Sequence, residues 1–191
     1  TGMEAHAGPT PMALRKDALL AATRIMQDVV AAAHRHPPHG RGTVGMVQVF
    51  PNSRNVIPGR VKFSIDLRNS TDALVDQMAD EVKAFAAKVG QEHGVDVKIE
   101  MVSSYNAIAF HDNCVDAVGR AARKLGYSNM PAVSGAGHDA VYMAKLAPSG
   151  MIFIPCKDGI SHNEIEDAKP EHITAGCNVL LHAMLERAGV V

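Results

Sequence analysis

The sequence has little charge imbalance, few aromatic residues and no long apolar run, and each shortage excludes a class of protein. The 19 Lys and Arg residues are balanced by 20 Asp and Glu residues, so no basic excess is available to hold a phosphate backbone. Aromatic residues make up only 4% of the chain and do not interleave with basic ones, as single-strand-binding surfaces require. No apolar run approaches the roughly 18 residues that span a membrane. We therefore expect neither a nucleic acid nor a membrane as a partner.

The cysteine content and the first residues bear on where the protein is found. Cys114, Cys156 and Cys177 are few, odd in number and without metal-type spacing. This usage favours a reducing cytoplasm over a secreted disulfide framework. The chain begins "TGMEAHAGPTPM", with neither an initiator Met nor the pattern of a secretory leader. We therefore expect a cytoplasmic protein that has been processed or truncated.

The first half of the chain alternates between strand and helix patterns. Strand patterns occur at residues 3–7, 44–50, 61–67 and 95–102. Apolar residues recur every three or four positions in residues 14–34 and 71–89, which predicts two helices. Thr10 is expected to cap the first helix, with Pro11 in its first turn. The order strand, helix, strand, strand, helix, strand predicts an α+β ferredoxin-like (βαββαβ) domain over residues 1–106.

The second half, residues 107–191, has too few strands to complete a domain of its own. Helices are predicted at residues 111–125 and 170–188, and a glycine-rich loop beginning at Ser134 leads into a short helix. Residues 151–154 are apolar without alternation, which is typical of a fully buried strand. We expect this half to be the C-terminal part of an α/β domain whose beginning is absent.

His162 is the first candidate for chemistry, because it follows a glycine turn and lies among Glu164, Glu166 and Asp167. An imidazole supported by carboxylates can hold a divalent cation, although a hydrogen-bonded loop histidine fits the local sequence equally well. The sequence contains no H-E-x-x-H or H-x-x-E-H spacing, so further ligands must come from elsewhere. A Cys156–His162 hydrolase pair is disfavoured, because no orienting acid or oxyanion loop accompanies it.

The loop Ser134–His138, "SGAGH", is the second candidate. Its glycines allow backbone N–H groups to face an anion before a helix, although a tight turn explains them as well. Ser134 is not a nucleophile elbow, because Ala132 occupies the position where that motif has glycine.

Three further positions carry groups that could bind a substrate. Arg68 continues the polar face of a strand, where a guanidinium can clamp a carboxylate with two bonds. A surface salt bridge to Asp66 is the competing interpretation. Asn55 precedes the sequence "VIPG", and His6 lies between alanines before a glycine-proline turn, where it could equally be a core or edge residue.

Four stretches in this order, "AHAGPTPM", "PNSRNVIPGRVKFSIDLR", "SGAGHDAVYM" and "MIFIPCKDGISHNEIE", resemble the hydantoinase/carbamoylase branch of the M20 metallopeptidase family. The branch includes N-carbamoyl-L-amino-acid hydrolases, β-ureidopropionases and allantoate amidohydrolases. The resemblance implies a catalytic domain with two metal ions, interrupted by a ferredoxin-like lid through which the protein forms a homodimer. Residues 1–106 match the lid, and residues 107–191 match the C-terminal part of the catalytic domain.

The resemblance also implies roles for individual residues. His162 matches the last metal ligand, and His6 matches the lid histidine that enters the active site of the partner subunit and polarises the scissile carbonyl. The residues that match the substrate-binding positions are His6, Asn55, Arg68, Gly135, Gly137 and His138. The family's other metal ligands and its general-base glutamate match nothing here, so we expect them in a segment that this chain does not contain.

The implied reaction is hydrolysis of the carbamoyl (ureido) C–N bond of N-carbamoyl-L-amino acids or related ureido acids. It would use two divalent ions, Zn, Mn, Co or Ni, as Lewis acids and generators of hydroxide. This chain alone would be metal-poor and inactive. The alternatives are a non-catalytic ferredoxin-like module for dimerisation or small-molecule binding, and an allantoate amidohydrolase or an M20 peptidase.

Overall fold

The computed structural model describes residues 1–190, which form two compact units. The first unit is Thr1–Ala107, and the second begins at Ile108. Within residues 1–190, every helix is too short or too polar to cross a bilayer.

The first unit contains six short strands and two long helices. The elements are β1 (Ala5–His6), α1 (Ala18–Arg35), β2 (Arg41–Thr43), β3 (Val47–Phe50), β4 (Val56–Ile57), β5 (Arg60–Phe63), β6 (Asp66–Arg68) and α2 (Asp72–His93), with a 3₁₀ turn at Met12–Leu14. The strands form three antiparallel pairs, β1 with β4, β2 with β6, and β3 with β5. The mixed α and β content is confirmed. The described strands form pairs and not one four-stranded sheet, so the ferredoxin-like arrangement remains a prediction.

The core of the first unit lies between the two helices and the strands. Ala21 and Ile25 of α1 pack against Ala86 and Val89 of α2, with Phe63 of β5 against this cluster. A second cluster joins the same helices to the strands through Val29, Ala32 and Val82, with Ile65 and Leu67 packed against them. Along residues 61–68 the side chains alternate between half-buried and exposed, which confirms the predicted alternation.

Two sequence predictions in this unit were wrong. Helix α1 begins at Ala18, because Asp17 accepts hydrogen bonds from the backbone N–H groups of Leu19 and Leu20, and Thr10 does not cap it. Residues 95–102 form no strand: the Val95 N–H donates to Gly90 at the end of α2 and Asp96 pairs with Thr1, and these contacts do not make a ladder. Val95 and Val97 still face the core, so the alternation correctly marked the buried side but not the pairing.

Close approach of β2 to α1 depends on Gly42. A Cβ atom at this position would lie 2.3 Å from the carbonyl oxygen of Val29 and 3.1 Å from its carbonyl carbon. These are backbone atoms of a helix, so they cannot move aside by a side-chain rotation. We expect Gly42→Ala to lower the free energy of unfolding by about 1–3 kcal/mol, as overpacking does elsewhere, and urea unfolding measures it.

Gly45→Ala is the matched control, because its added Cβ would meet only the Ser64 hydroxyl, at 4.0 Å. We expect this variant to lie within about 0.5 kcal/mol of the wild type. Equal destabilisation by both changes would contradict the close packing of β2 on α1.

The second unit is built from helices. Its elements are α3 (Asp112–Lys124), α4 (Asp139–Ala144) and α5 (Pro170–Arg187), with a 3₁₀ turn at Lys157–Gly159. The helices α3 and α5 pack through small side chains, Ala117, Ala121, Ala122, Val179 and Ala183. Arg120 of α3 and Glu186 of α5 form an ion pair beside this seam. The predicted helices are confirmed within one or two residues at each end.

The predicted buried strand at residues 151–154 was wrong. No strand is formed there, and the side chains of Phe153 and Ile154 are exposed by 50% and 36%. A strand needs a neighbour to satisfy its backbone N–H and C=O groups, and within residues 1–190 none pairs with this segment.

Candidate functional site

His6 lies at the end of β1, in a turn that fixes its ring. The backbone N–H of Gly8 donates to Nδ1 of His6 at 3.0 Å. Because Nδ1 is an acceptor, a neutral His6 ring carries its proton on Nε2. A Cβ at Gly8 would lie 3.3 Å from two atoms of the ring, so glycine keeps the turn tight against the imidazole. The exposed His6 therefore presents Nε2–H as a hydrogen-bond donor.

Arg15 holds the same turn in place, and sequence reasoning missed it. Its guanidinium donates to the carbonyl oxygen of Ala7 at 2.7 Å and twice to that of Thr10, at 3.0 and 3.1 Å. The Thr10 hydroxyl closes the turn by donating to the carbonyl oxygen of His6 at 2.6 Å. The only signal in the sequence is an arginine shortly after a glycine-proline turn, which does not reveal its carbonyl partners.

The structure brings Asn55 next to His6. In the β1–β4 pair His6 is opposite Val56, and the N–H of Ala7 donates to the carbonyl oxygen of Asn55 at 2.8 Å. The Asn55 side chain is exposed, and its Oδ1 accepts from the Ser53 hydroxyl at 3.0 Å. Two of the predicted substrate-binding residues thus share one edge of the first unit.

Arg68 lies on a different strand pair, where it is opposite Arg41. Its Nε and one terminal nitrogen donate to the two carboxylate oxygens of Asp66 at 2.8 and 2.9 Å. These bonds lower the pKa of Asp66 and raise that of Arg68. The salt bridge that competed with substrate binding as an interpretation is therefore present. Since both side chains are about half exposed, the pair is of a kind that contributes little to stability.

The loop Ser134–His138 is held by a serine and an aromatic ring. Ser134 Oγ lies 2.7 Å from Nε2 of His138 and accepts from the backbone N–H of Ala136 at 3.2 Å. The ring of Phe153 lies against that of His138, with centroids 5.5 Å apart and a tilt of 60°. A Cβ at Gly135 or Gly137 would meet nothing within 4 Å, so both glycines border open space.

His162 has a strained backbone, with φ at 56° in the left-handed region. Such a conformation costs a histidine about 1–2 kcal/mol and is a reason to suspect function. The Glu166 carboxylate accepts from the His162 backbone N–H at 3.0 Å. Glu166 thus stabilises the turn through the backbone of His162, and support of the imidazole by carboxylates stays a prediction.

Within residues 1–190, no group of three or more His, Cys, Asp or Glu side chains is arranged to hold a metal ion. Stable protein sites for zinc-like ions use at least three protein ligands. The described residues therefore do not by themselves form the two-metal site that the resemblance implies, and His162 as a metal ligand stays a prediction.

The comparisons with known proteins agree with the four sequence stretches. The pattern of peptidase family M20/M25/M40 matches residues 4–186. The chain belongs to this family. It is 47% identical over 191 residues to an N-carbamoyl-L-amino-acid amidohydrolase of Rhizobium meliloti, covering 100% of this chain and 46% of that protein. It is 31% identical to an allantoate amidohydrolase of Bacillus subtilis, covering 96% of this chain and 44% of that protein.

A solved structure places the chain in the same branch. A hydantoinase/carbamoylase family amidase from Burkholderia multivorans matches with a TM-score of 0.92 and 54% identity, covering 98% of this chain and 46% of that one. The predicted membership of the hydantoinase/carbamoylase branch is confirmed. This chain spans less than half the length of these three relatives.

Proposed function

We propose that this chain is part of an amidohydrolase that cleaves the carbamoyl C–N bond of N-carbamoyl-L-amino acids. The observation that carries the proposal is 47% identity, over the whole chain, to a protein named as an N-carbamoyl-L-amino-acid amidohydrolase. The turn that Arg15 holds supports this proposal. The turn presents the Nε2–H group of His6, a hydrogen-bond donor of the kind that polarises a carbonyl oxygen. Asn55 and Arg68 would bind the carboxylate of the substrate, and Gly135, Gly137 and His138 would line its pocket.

The active site would be assembled from two parts of a longer polypeptide. This chain would contribute His162 to a site for two divalent ions, and the other ligands would come from the part of the family fold that residues 1–191 do not match. Unit two supports this division, because one side of α5 carries apolar side chains that are about half exposed or more: Ile173, Leu180, Leu181 and Met184. An exposed apolar stripe of this kind is typical of a surface that another segment covers. The unpaired apolar segment at residues 151–154 supports it too.

The first unit would be the ferredoxin-like lid, residues 1–106, and would form the homodimer. In that arrangement His6 of one subunit would act in the active site of the partner subunit. Residues 107–191 of that partner subunit would form the C-terminal part of the same active site. The exposure of His6 at the edge of its unit is compatible with this role. A cytoplasmic location remains a prediction from the cysteine content.

Activity profiling of the full-length protein tests the proposal. The substrates are an N-carbamoyl-L-amino acid, β-ureidopropionate, allantoate and a dipeptide, each assayed with Zn, Mn, Co or Ni after chelation. We expect the highest kcat/KM with the N-carbamoyl-L-amino acid. Turnover of the dipeptide alone would instead assign a peptidase. Allantoate as the best substrate would assign an allantoate amidohydrolase, as the Bacillus subtilis relative is named.

A second candidate is a non-catalytic module for dimerisation or small-molecule binding. The observation that favours it is that the described residues hold no cluster of three metal-ligating side chains. The same assay separates the two, because a full-length protein that hydrolyses none of these substrates with any of the ions would leave only the module.

A further inference from the structure

The hydroxyl of Ser134 contacts one of the two ring nitrogens of His138, Nε2. Ser134 Oγ lies 2.7 Å from His138 Nε2, a length typical of an O–H donor and shorter than the 2.9–3.0 Å usual for N–H donors. The hydroxyl also accepts from the backbone N–H of Ala136 at 3.2 Å, which leaves its O–H proton available to donate. This geometry fits a serine that donates its O–H proton to Nε2.

A ring that accepts at Nε2 carries its proton on Nδ1 when it is neutral. The Phe153 ring, with its centroid 5.5 Å from that of His138, limits rotation of the imidazole about its Cβ–Cγ bond. Donation by Ser134 would therefore select the tautomer, while the Phe153 contact restricts the orientation of the ring. A free histidine side chain in water prefers the opposite tautomer, with the proton on Nε2, so donation by the serine would work against the intrinsic preference.

We propose that Ser134 is a positioning residue that holds His138 as the Nδ1–H tautomer, so that Nδ1 donates a hydrogen bond to an oxygen of the bound ureido acid. The inference rests on the proposed function in one respect, that His138 lines the substrate pocket. Without the serine, Nδ1 would carry a lone pair for much of the time and would repel a substrate oxygen. Ser134 thus acts through His138 and does not itself react.

Histidine NMR on the full-length protein tests the tautomer directly. Long-range ¹H–¹⁵N correlations at about pH 8.5, where an ordinary imidazole is neutral, distinguish a protonated Nδ1 from a protonated Nε2. The signals of His138 are assigned by their loss in His138→Gln. We expect the Nδ1–H pattern in the wild type and in Ser134→Thr, and a shift to the Nε2–H pattern in Ser134→Ala. An Nε2–H pattern in the wild type, or no change in Ser134→Ala, would overturn the inference.

Kinetics of the full-length enzyme test the consequence. We expect Ser134→Ala to lower kcat/KM about tenfold, since loss of one hydrogen bond to a charged group is worth roughly 1.5 kcal/mol or more, and Ser134→Thr to restore it. Ser128→Ala, at an exposed serine of the same unit, is the control and should match the wild type. Equal kcat/KM for Ser134→Ala and wild type would contradict the positioning role. An unchanged kcat/KM in His138→Gln would instead remove His138 from the proposed pocket, whatever the tautomer.

Discussion

Replacing His162 by Asn in the full-length protein is expected to remove at least one metal ion per active site and to lower kcat by about a thousandfold or more. A loss of that size corresponds to roughly 4 kcal/mol of transition-state stabilisation, within the several kcal/mol that a bound metal ion supplies. Asn suits this test because it tolerates the left-handed backbone of His162, at φ 56°, better than most residues other than glycine. The measurements are metal content by mass spectrometry and hydrolysis of an N-carbamoyl-L-amino acid.

Two further variants separate the ligand from the turn that carries it. Glu166→Gln keeps an oxygen to accept from the His162 N–H, so metal content and activity should fall far less. His34→Ala removes an exposed histidine of the first unit and should change neither quantity. Full metal content in His162→Asn would show that His162 is a hydrogen-bonded loop histidine and not a metal ligand.

Replacing Arg68 by Lys is expected to raise KM about 10- to 100-fold with little change in kcat. A lysine cannot reproduce the two parallel bonds of a guanidinium to a carboxylate. The lost hydrogen bonding to a charged group is worth about 1.5–3 kcal/mol, which gives that range. The measurement is the steady-state kinetics of the full-length enzyme with an N-carbamoyl-L-amino acid.

The Asp66 partner makes this prediction sharper, because it offers the rival explanation that Arg68 only forms a salt bridge. Asp66→Asn removes the carboxylate and leaves the guanidinium in place. If Arg68 binds substrate, Asp66→Asn changes KM much less than Arg68→Lys does. If the two residues form only a surface pair, both variants leave KM at the wild-type value, and the role of Arg68 in binding is refuted.

The helices could be predicted from the sequence, whereas strand pairing could not. Periodic apolar positions located α2 and α5, since burial on one helix face is a local property of the sequence. The start of α1 was misplaced because both Thr10 and Asp17 are good capping residues, and only the fold decides which accepts from the helix. Residues 95–102 alternate between apolar and polar side chains but form no strand, since a strand depends on pairing with a neighbour that local sequence does not specify.

The residues of the candidate site were likewise only partly predictable from the sequence. The motifs identified His6, Arg68 and His138, because their residue types and order carry the resemblance. The sequence did not reveal that Arg15 holds the turn of His6 or that Ser134 contacts His138. Arg15 bonds to carbonyl oxygens and Ser134 to a ring nitrogen, both within irregular loops. No periodicity marks such contacts, so only coordinates reveal them.

The proposed enzyme has a metal site divided between residues 1–191 and another part of the same polypeptide. Metal analysis of the 191-residue chain and of the full-length protein, both dialysed against the same divalent ion, tests it most directly. The account predicts two ions per full-length subunit and far less than one per 191-residue chain. Two tightly bound ions in the 191-residue chain, together with turnover of substrate, would contradict it.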